Sequence, residues 1–143
     1  MYCYKYPHPA VTADCIVYNQ EGETISVLLI KRKNEPFKDC WAFPGGFVNI
    51  DESAEEAAIR ELKEETGLEV SRIEQLKAYS NPDRDPRERV ITIAFIAESQ
   101  IKVVKGGDDA KEARWFDISN LPPLAFDHEQ ILKDAIEKLR GKN

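Results

Sequence analysis

The segment from Glu52 to Gly67 constrains this chain most, because it signals a helix at both ends and loads that helix with an awkward charge pattern. Ser53 and Glu56 have capping-box spacing, and Gly67 suits the left-handed residue that follows a helix end. A helix is therefore predicted over Glu52–Thr66. On an ideal helix, turning about 100° per residue, Glu61, Glu64 and Glu65 project within an arc of roughly 100°. The same arc holds Ala54, Ala57 and Ala58, with Leu62 close beside it, whereas Glu56 and Lys63 lie opposite. A merely solvated charged face points away from the core, so carboxylates beside the apolar stripe imply a partly buried recess. The arrangement costs stability. Like charges three or four residues apart repel by roughly 0.2 to 0.5 kcal/mol per pair, and carboxylates in the last turns oppose the helix dipole by roughly 0.3 to 1 kcal/mol each. Arg60 and Lys63 are at hand to offset this, but a hard divalent cation with oxygen ligands, magnesium or manganese, matches a carboxylate cluster better. Such ions usually bind substrate phosphates, which makes a phosphate-containing ligand the expectation.

The rest of the chain reads as a sheet around that helix. Ala10–Tyr18 and Thr24–Arg32 are β-rich runs separated by a hairpin turn at Asn19-Gln20-Glu21-Gly22. Residues 34–46, with Pro36, Pro44 and Gly45-Gly46, are predicted to be a loop. Leu68–Tyr79 has a mixed, extended pattern, Arg89–Ala97 is the clearest later strand, and Ala113–Ile118 is a further strand candidate. Asp127 can cap a last helix whose Ile131, Leu132, Ala135, Ile136 and Leu139 form one apolar stripe, with Gly141 as its stop. No internal repeat or linker divides the chain, so residues 1–143 are read as one α+β domain, a mixed β-sheet flanked by helices.

Composition removes several classes. Apolar residues make up 42%, charged residues 32%, and no apolar run approaches the roughly 18 residues of a membrane span. The start, Met1-Tyr2-Cys3-Tyr4-Lys5-Tyr6-Pro7, lacks the apolar stretch of a signal peptide, and Cys3, Cys15 and Cys40 form no CxxC pair. A cytoplasmic protein with neither a disulfide framework nor a zinc site is expected. A net charge of −6 argues against a nucleic-acid partner, whose phosphates are neutralised by Lys and Arg.

Gly46, five spacers, Glu52, seven spacers and then Arg60-Glu61-Leu62-Lys63-Glu64-Glu65-Thr66-Gly67-Leu68 resemble a complete Nudix box. About nine positions are fixed over 23 residues, and they fall on the predicted loop and helix. The resemblance implies an α/β/α sandwich with a mixed sheet and the hydrolysis of a pyrophosphate bond in a nucleotide-like molecule. Carried over by position, Glu61, Glu64 and Glu65 are metal ligands, joined by the Gly45 carbonyl. Glu52 and Arg60 hold the loop and orient those ligands. Gly46 supplies backbone geometry that a side chain would obstruct. The ions neutralise the diphosphate and activate water, and a carboxylate takes its proton. Glu65, Glu112 and Glu88 are the candidate bases.

Outside the box, residues 81–87, the stretch Glu112-Ala113-Arg114-Trp115-Phe116 and the segment Leu124-Ala125-Phe126-Asp127-His128 resemble the ADP-ribose pyrophosphatase branch, although Glu88 stands where a glycine is expected. That likeness makes Arg84 and Arg87 candidates for a terminal ribose phosphate and Arg32 for a phosphate or ribose, against the plain reading of solvated loop arginines. Of Trp41, Phe43 and Phe47, at least two are expected in the core rather than on a base. His8 and His128 are read as a turn histidine and a helix-start histidine. The expected substrate is ADP-ribose, giving AMP and ribose 5-phosphate. One alternative is a housecleaning pyrophosphohydrolase acting on oxidised nucleotides or CTP. Another is an ADP-ribose-sensing regulator without turnover, against which stand the intact box, the acidic charge and the lack of an added winged-helix domain. The aromatic N-terminus, Tyr2, Tyr4 and Tyr6, is a candidate contact in a homodimer.

Overall fold

A computed structural model describes residues 3–104 and 110–141 of the protein. Seven strands form one mixed sheet: β1 (Ala10–Glu21), β2 (Thr24–Arg32), β3 (Trp41–Ala42), β4 (Gly45–Phe47), β5 (Glu74–Tyr79), β6 (Val90–Glu98) and β7 (Ala110–Asp117), with helices α1 (Ala54–Thr66) and α2 (His128–Arg140). The alternation of side chains along strands divides the core in two. Ile16, Val27, Leu29, Ala94 and Ile96 face α2, where they pack on Ile131, Leu132 and Ala135 with Trp41, Phe43 and Tyr79. Their neighbours Cys15, Val17, Leu28, Phe95 and Ala97 face α1, against Ala57, Ala58 and Leu62. The sheet is thus covered by one helix on each face, as the α/β/α reading requires.

β1 is the spine. It pairs in parallel with β6 along Ala10–Tyr18. Its other edge is shared: Tyr18–Glu21 pair with β2, while Thr12–Asp14 pair with β4. Further along, β2 leaves β1 and pairs through Ile30 and Lys31 with β3. The segment between Trp41 and Phe47 fills the split, because backbone groups left open there must find partners. This corrects the expectation of a plain loop over residues 34–46. The hairpin turn also shifts, to Gly22 and Glu23, with β1 running on to Glu21. Asn19, read as a turn former, lies buried in the ladder because its amide donates to the Ser99 carbonyl at 2.7 Å.

α1 begins two residues after Glu52, at Ala54. Ser53 Oγ accepts from the Glu56 N–H at 3.1 Å, and the Glu56 carboxylate accepts from the Ser53 N–H at 2.8 Å. Gly67 closes the helix in the left-handed region, with φ 77°. At α2 the expectation fails in part. Asp127 stands at the N-cap but makes no capping bond, because its carboxylate is taken by Arg84. Gly141 ends α2 in a right-handed conformation, its N–H on the Glu137 carbonyl. Among the described residues no helix is long and apolar enough to cross a membrane, and Cys3, Cys15 and Cys40 are free. Burial pushes the Cys15 thiol up to about 12, with Asp14 adding to the shift, so it stays protonated. Tyr4 and Tyr6 are exposed, while Tyr2 lies outside the described residues.

Candidate active site

The three α1 carboxylates are graded by depth. Glu65 is 6% exposed, and its Oε1 accepts from the Gly45 N–H at 2.8 Å. The Glu61 side chain is 14% exposed and that of Glu64 58%. Arg60 organises them. Its Nε donates to both Glu52 oxygens, at 3.2 and 3.0 Å, and its Nη2 to Glu52 Oε1 at 2.6 Å and to the Phe47 carbonyl at 3.1 Å. Its Nη1 donates to Glu61 at 2.9 Å and to both Glu64 oxygens at 3.3 Å. Glu52 closes the loop by accepting from the Asn49 N–H at 2.9 Å. The Arg60 hydrogen bonds hold the Glu52 carboxyl below its usual range, and Glu52, followed by Glu61, raises Arg60. Lys63, the other cation near the cluster, pairs instead with Glu69 on the exposed side.

Gly46 answers to Glu61. A Cβ at this glycine would meet the Glu61 carboxylate carbon at 2.5 Å, so the absent side chain lets the carboxylate lie against the main chain. Gly45 is tighter still, because a Cβ there would strike Asp14 Oδ1 and the Ala13 carbonyl. Among the described residues no three His, Cys, Asp or Glu side chains converge as a ready metal site. Glu65 is turned toward Gly45 and Glu64 toward Arg60. The donors in the cluster are oxygens throughout, which is the ligand chemistry of a hard divalent cation, and the recess over Gly46 keeps one carboxylate at the main chain.

A cavity of about 390 Å³ opens beside this cluster, within the usual range for small-molecule sites. Seven of the candidate catalytic, metal-binding and phosphate-binding residues line it: Arg32, Gly45, Gly46, Glu61, Glu65, Arg84 and Arg87. Arg84 is not a solvated loop arginine. Its side chain is 4% exposed and donates to both oxygens of Asp127, at 2.9 and 2.7 Å. Arg87 is half exposed and grips the buried Asp85 at 3.1 and 2.7 Å. Burial pushes the Asp85 carboxyl up, yet the Arg87 hydrogen bonds outweigh it and hold the group below its usual range. Arg32 donates to the Pro36 carbonyl at 2.8 Å. Its pKa is lowered by burial and then by Arg87, against the pull of Asp85 and Glu65. Arg32 and Arg87 both lie near the Phe126 ring, 4.9 and 5.8 Å from its centroid. Phe126 itself sits at φ 52°, a strained conformation for a bulky residue and one that recurs at ligand-binding sites.

Of the aromatic candidates, Trp41 and Phe43 are core residues, and the exposed Phe47 lines the cavity. Arg60, Glu52 and Glu64 are not among the residues that line the cavity. Two candidate bases are not brought to the site. Glu112 is bound to Arg114 at 2.7 Å on β7, and Glu88 is an exposed loop residue; neither lines the cavity. Asp108 and Asp109, from the same stretch as Glu112, lie outside the described residues.

Sequence reading missed several polar residues of the wall, Asp14 and His128 among them. Asp14, in the middle of β1, is buried and accepts from Thr92 Oγ1 at 2.8 Å. His128, read as a simple helix-start residue, is buried, and its Nδ1 accepts from the Phe43 N–H at 3.1 Å. Burial lowers its pKa against the pull of Asp14 and Asp127, and Arg84 adds to the lowering, so the ring is neutral. The available signal was a carboxylate inside an apolar strand, an expensive placement unless the site uses it.

Comparison with known proteins agrees with this geometry. The family model described as NUDIX domain matches residues 8–138. A protein of Methanocaldococcus jannaschii named ADP-ribose pyrophosphatase is 56% identical over 138 residues, covering 96% of this chain and 78% of that protein. The ADPR responsive transcriptional repressor NtrR of Acinetobacter baylyi is 32% identical over 142 residues, and the chain spans 57% of its length. Among solved structures, the NUDIX domain of Shewanella oneidensis NrtR complexed with ADP ribose superposes with a TM-score of 0.87 at 31% identity, covering 94% of this chain and 90% of that one.

Proposed function

The chain belongs to the NUDIX domain family and is a Nudix hydrolase, and from that premise we propose that it hydrolyses the pyrophosphate bond of ADP-ribose to AMP and ribose 5-phosphate with magnesium or manganese. The observation that carries this is the meeting, in one cavity, of an oxygen-donor cluster with three arginines. A diphosphate needs both. The M. jannaschii pyrophosphatase, at 56% identity, supports the choice of substrate.

The residues that would hold the metal are Glu61, Glu64, Glu65 and the Gly45 carbonyl. When bound, the metal supplies charge neutralisation at the diphosphate oxygens and a lowered pKa for attacking water. Arg60 keeps Glu61 and Glu64 oriented and ties them to the loop through Glu52, a task that its planar fork suits. Arg32, which is partly buried and donates to a backbone carbonyl rather than to a carboxylate, and Arg87 take phosphate oxygens, while Arg84, already committed to Asp127, shapes the wall. Glu65, fixed through Gly45, accepts the water proton. Three free thiols suit a cytoplasmic location.

The test is incubation with magnesium and, separately, ADP-ribose, CTP and an oxidised guanine triphosphate, with products separated beside a Glu64→Gln control. AMP with ribose 5-phosphate is the expected result. A monophosphate with pyrophosphate would move the protein to nucleotide housecleaning. Saturable ADP-ribose binding without turnover would make it a sensor, a role for which the NtrR repressor offers a precedent.

A further inference from the structure

We propose that Asp14 and His128 together form a subsite that reads a sugar hydroxyl next to the diphosphate, a specificity element that rests on the nucleotide-sugar reading above. Thr92 fixes the Asp14 carboxylate by donating to Oδ2 at 2.8 Å, and among the described residues no donor meets Oδ1, which lies against Gly45. His128 is fixed from the other side. Its Nδ1 accepts the Phe43 N–H, so the proton of the neutral ring is on Nε2, and the ring stacks on Phe43 with centroids 5.3 Å apart. Nε2 stands 3.7 Å from Asp14 Oδ2, beyond hydrogen-bond range. A rigid donor and a rigid acceptor therefore stand side by side without satisfying each other.

Both residues are almost fully buried, at 7% and 4% exposure, and both line the cavity. The buried side-chain polar atom that lacks a partner among the described residues is Asn19 Oδ1, so Asp14 Oδ1 and His128 Nε2 are open to the cavity rather than sealed in the core. What fills the place between them must donate to a carboxylate and accept from an imidazole N–H. A phosphate oxygen cannot donate and is repelled by Asp14. A hydroxyl does both with one atom. The closeness of Asp14 to Gly45, beside the carboxylate cluster, puts this hydroxyl on a sugar carbon near the diphosphate.

The experiment compares kcat/KM for ADP-ribose and for analogues each lacking one ribose hydroxyl, in the wild type, Asp14→Asn and His128→Asn. Asparagine at 14 still accepts from Thr92, and asparagine at 128 still offers an acceptor to Phe43. One analogue is expected to lose about 10- to 150-fold in the wild type, the range of one hydrogen bond to a charged group, mainly through KM. That loss shrinks below about 3-fold in each variant, because the reading pair is already gone. The proposal is overturned if no analogue loses more than about 3-fold in the wild type, a comparison that needs no variant to fold, or if the loss persists undiminished in both variants. Should the wild type leave ADP-ribose intact, the reaction reading fails. The subsite is then decided by calorimetric affinities for the same compounds, where equal affinities, or no binding, overturn it.

Discussion

Replacing Gly46 by alanine separates folding from function at this site, because what the new methyl meets is a carboxylate rather than the backbone. The added Cβ would fall 2.5 Å from the Glu61 carboxylate carbon and from Oε2, where ordinary contact begins at 3.4 Å, so the carboxylate must retreat by about 0.9 Å. Glu61 can do this by rotating its side chain at the loss of its 2.9 Å bond to Arg60. The stability cost is therefore at the low end of overpacking, about 1 kcal/mol, or roughly 3–4 °C in Tm for a chain of this size. The catalytic cost is larger, since a misplacement near 1 Å costs about 100-fold in rate. Gly45→Ala behaves in the opposite way: its methyl strikes the Ala13 carbonyl inside the β1–β4 ladder, which cannot swing aside. It costs about 3 kcal/mol and lowers Tm by roughly 10 °C. The assay is thermal melting of both variants beside magnesium-dependent turnover of ADP-ribose. A Gly46→Ala protein with kcat within about 3-fold of wild type, or one that melts below Gly45→Ala, would refute the reasoning.

Arg60→Lys keeps the charge but loses the fork that serves Glu52, Glu61, Glu64 and the Phe47 carbonyl at once; magnesium titrations of activity should show an affinity weakened by about 10- to 100-fold. Arg84→Ala leaves the Asp127 carboxylate partly buried and unpaired, at a cost of about 3 kcal/mol by urea denaturation, and the double variant with Asp127→Ala should recover part of it. His128 is neutral when folded and has its pKa lowered by burial, so the unfolded chain takes up the proton first. Stability should be unaffected by this group above its ordinary value of 6.5 and should fall below it, by up to about 1.4 kcal/mol per pH unit. His128→Asn should flatten that part of the Tm profile, and parallel profiles would count against the assignment.

How much of this was legible in the sequence follows from the range of each interaction. The α1 caps are local bonds between residues three or four apart, so Ser53, Glu56 and Gly67 could be read directly. The helical period set the carboxylates on one side, and their graded burial follows from the apolar residues among them. The β-rich runs likewise marked β1, β2 and β6 as strands, though not which side chains face which helix. What stayed hidden depends on partners far along the chain. Asn19 reads as a turn residue until its bond to Ser99, 80 positions away, is known. Arg84 reads equally as a phosphate contact or a solvated loop residue until Asp127, 43 positions on, is seen to hold it, and the same contact explains why Asp127 does not cap its own helix.

The split in the sheet explains why these distant residues meet. α1 and α2 lie on opposite faces, and a continuous sheet would keep their side chains apart. Where β2 parts from β1, the strand segment between them passes through. Phe43 belongs to the α2 core and donates its N–H to His128, while two residues later the N–H of Gly45 goes to Glu65 of α1. One short stretch of backbone thus ties the carboxylate helix to the start of α2. The cavity beside it is consequently lined from both faces, with Glu61 and Glu65 from one helix and Phe126 and His128 from the approach to the other. The Gly45-Gly46 pair is required by this passage as much as by any ligand. Its first residue must clear β1 and its second must clear Glu61, so side chains at either position would close the route through which the two halves of the site communicate.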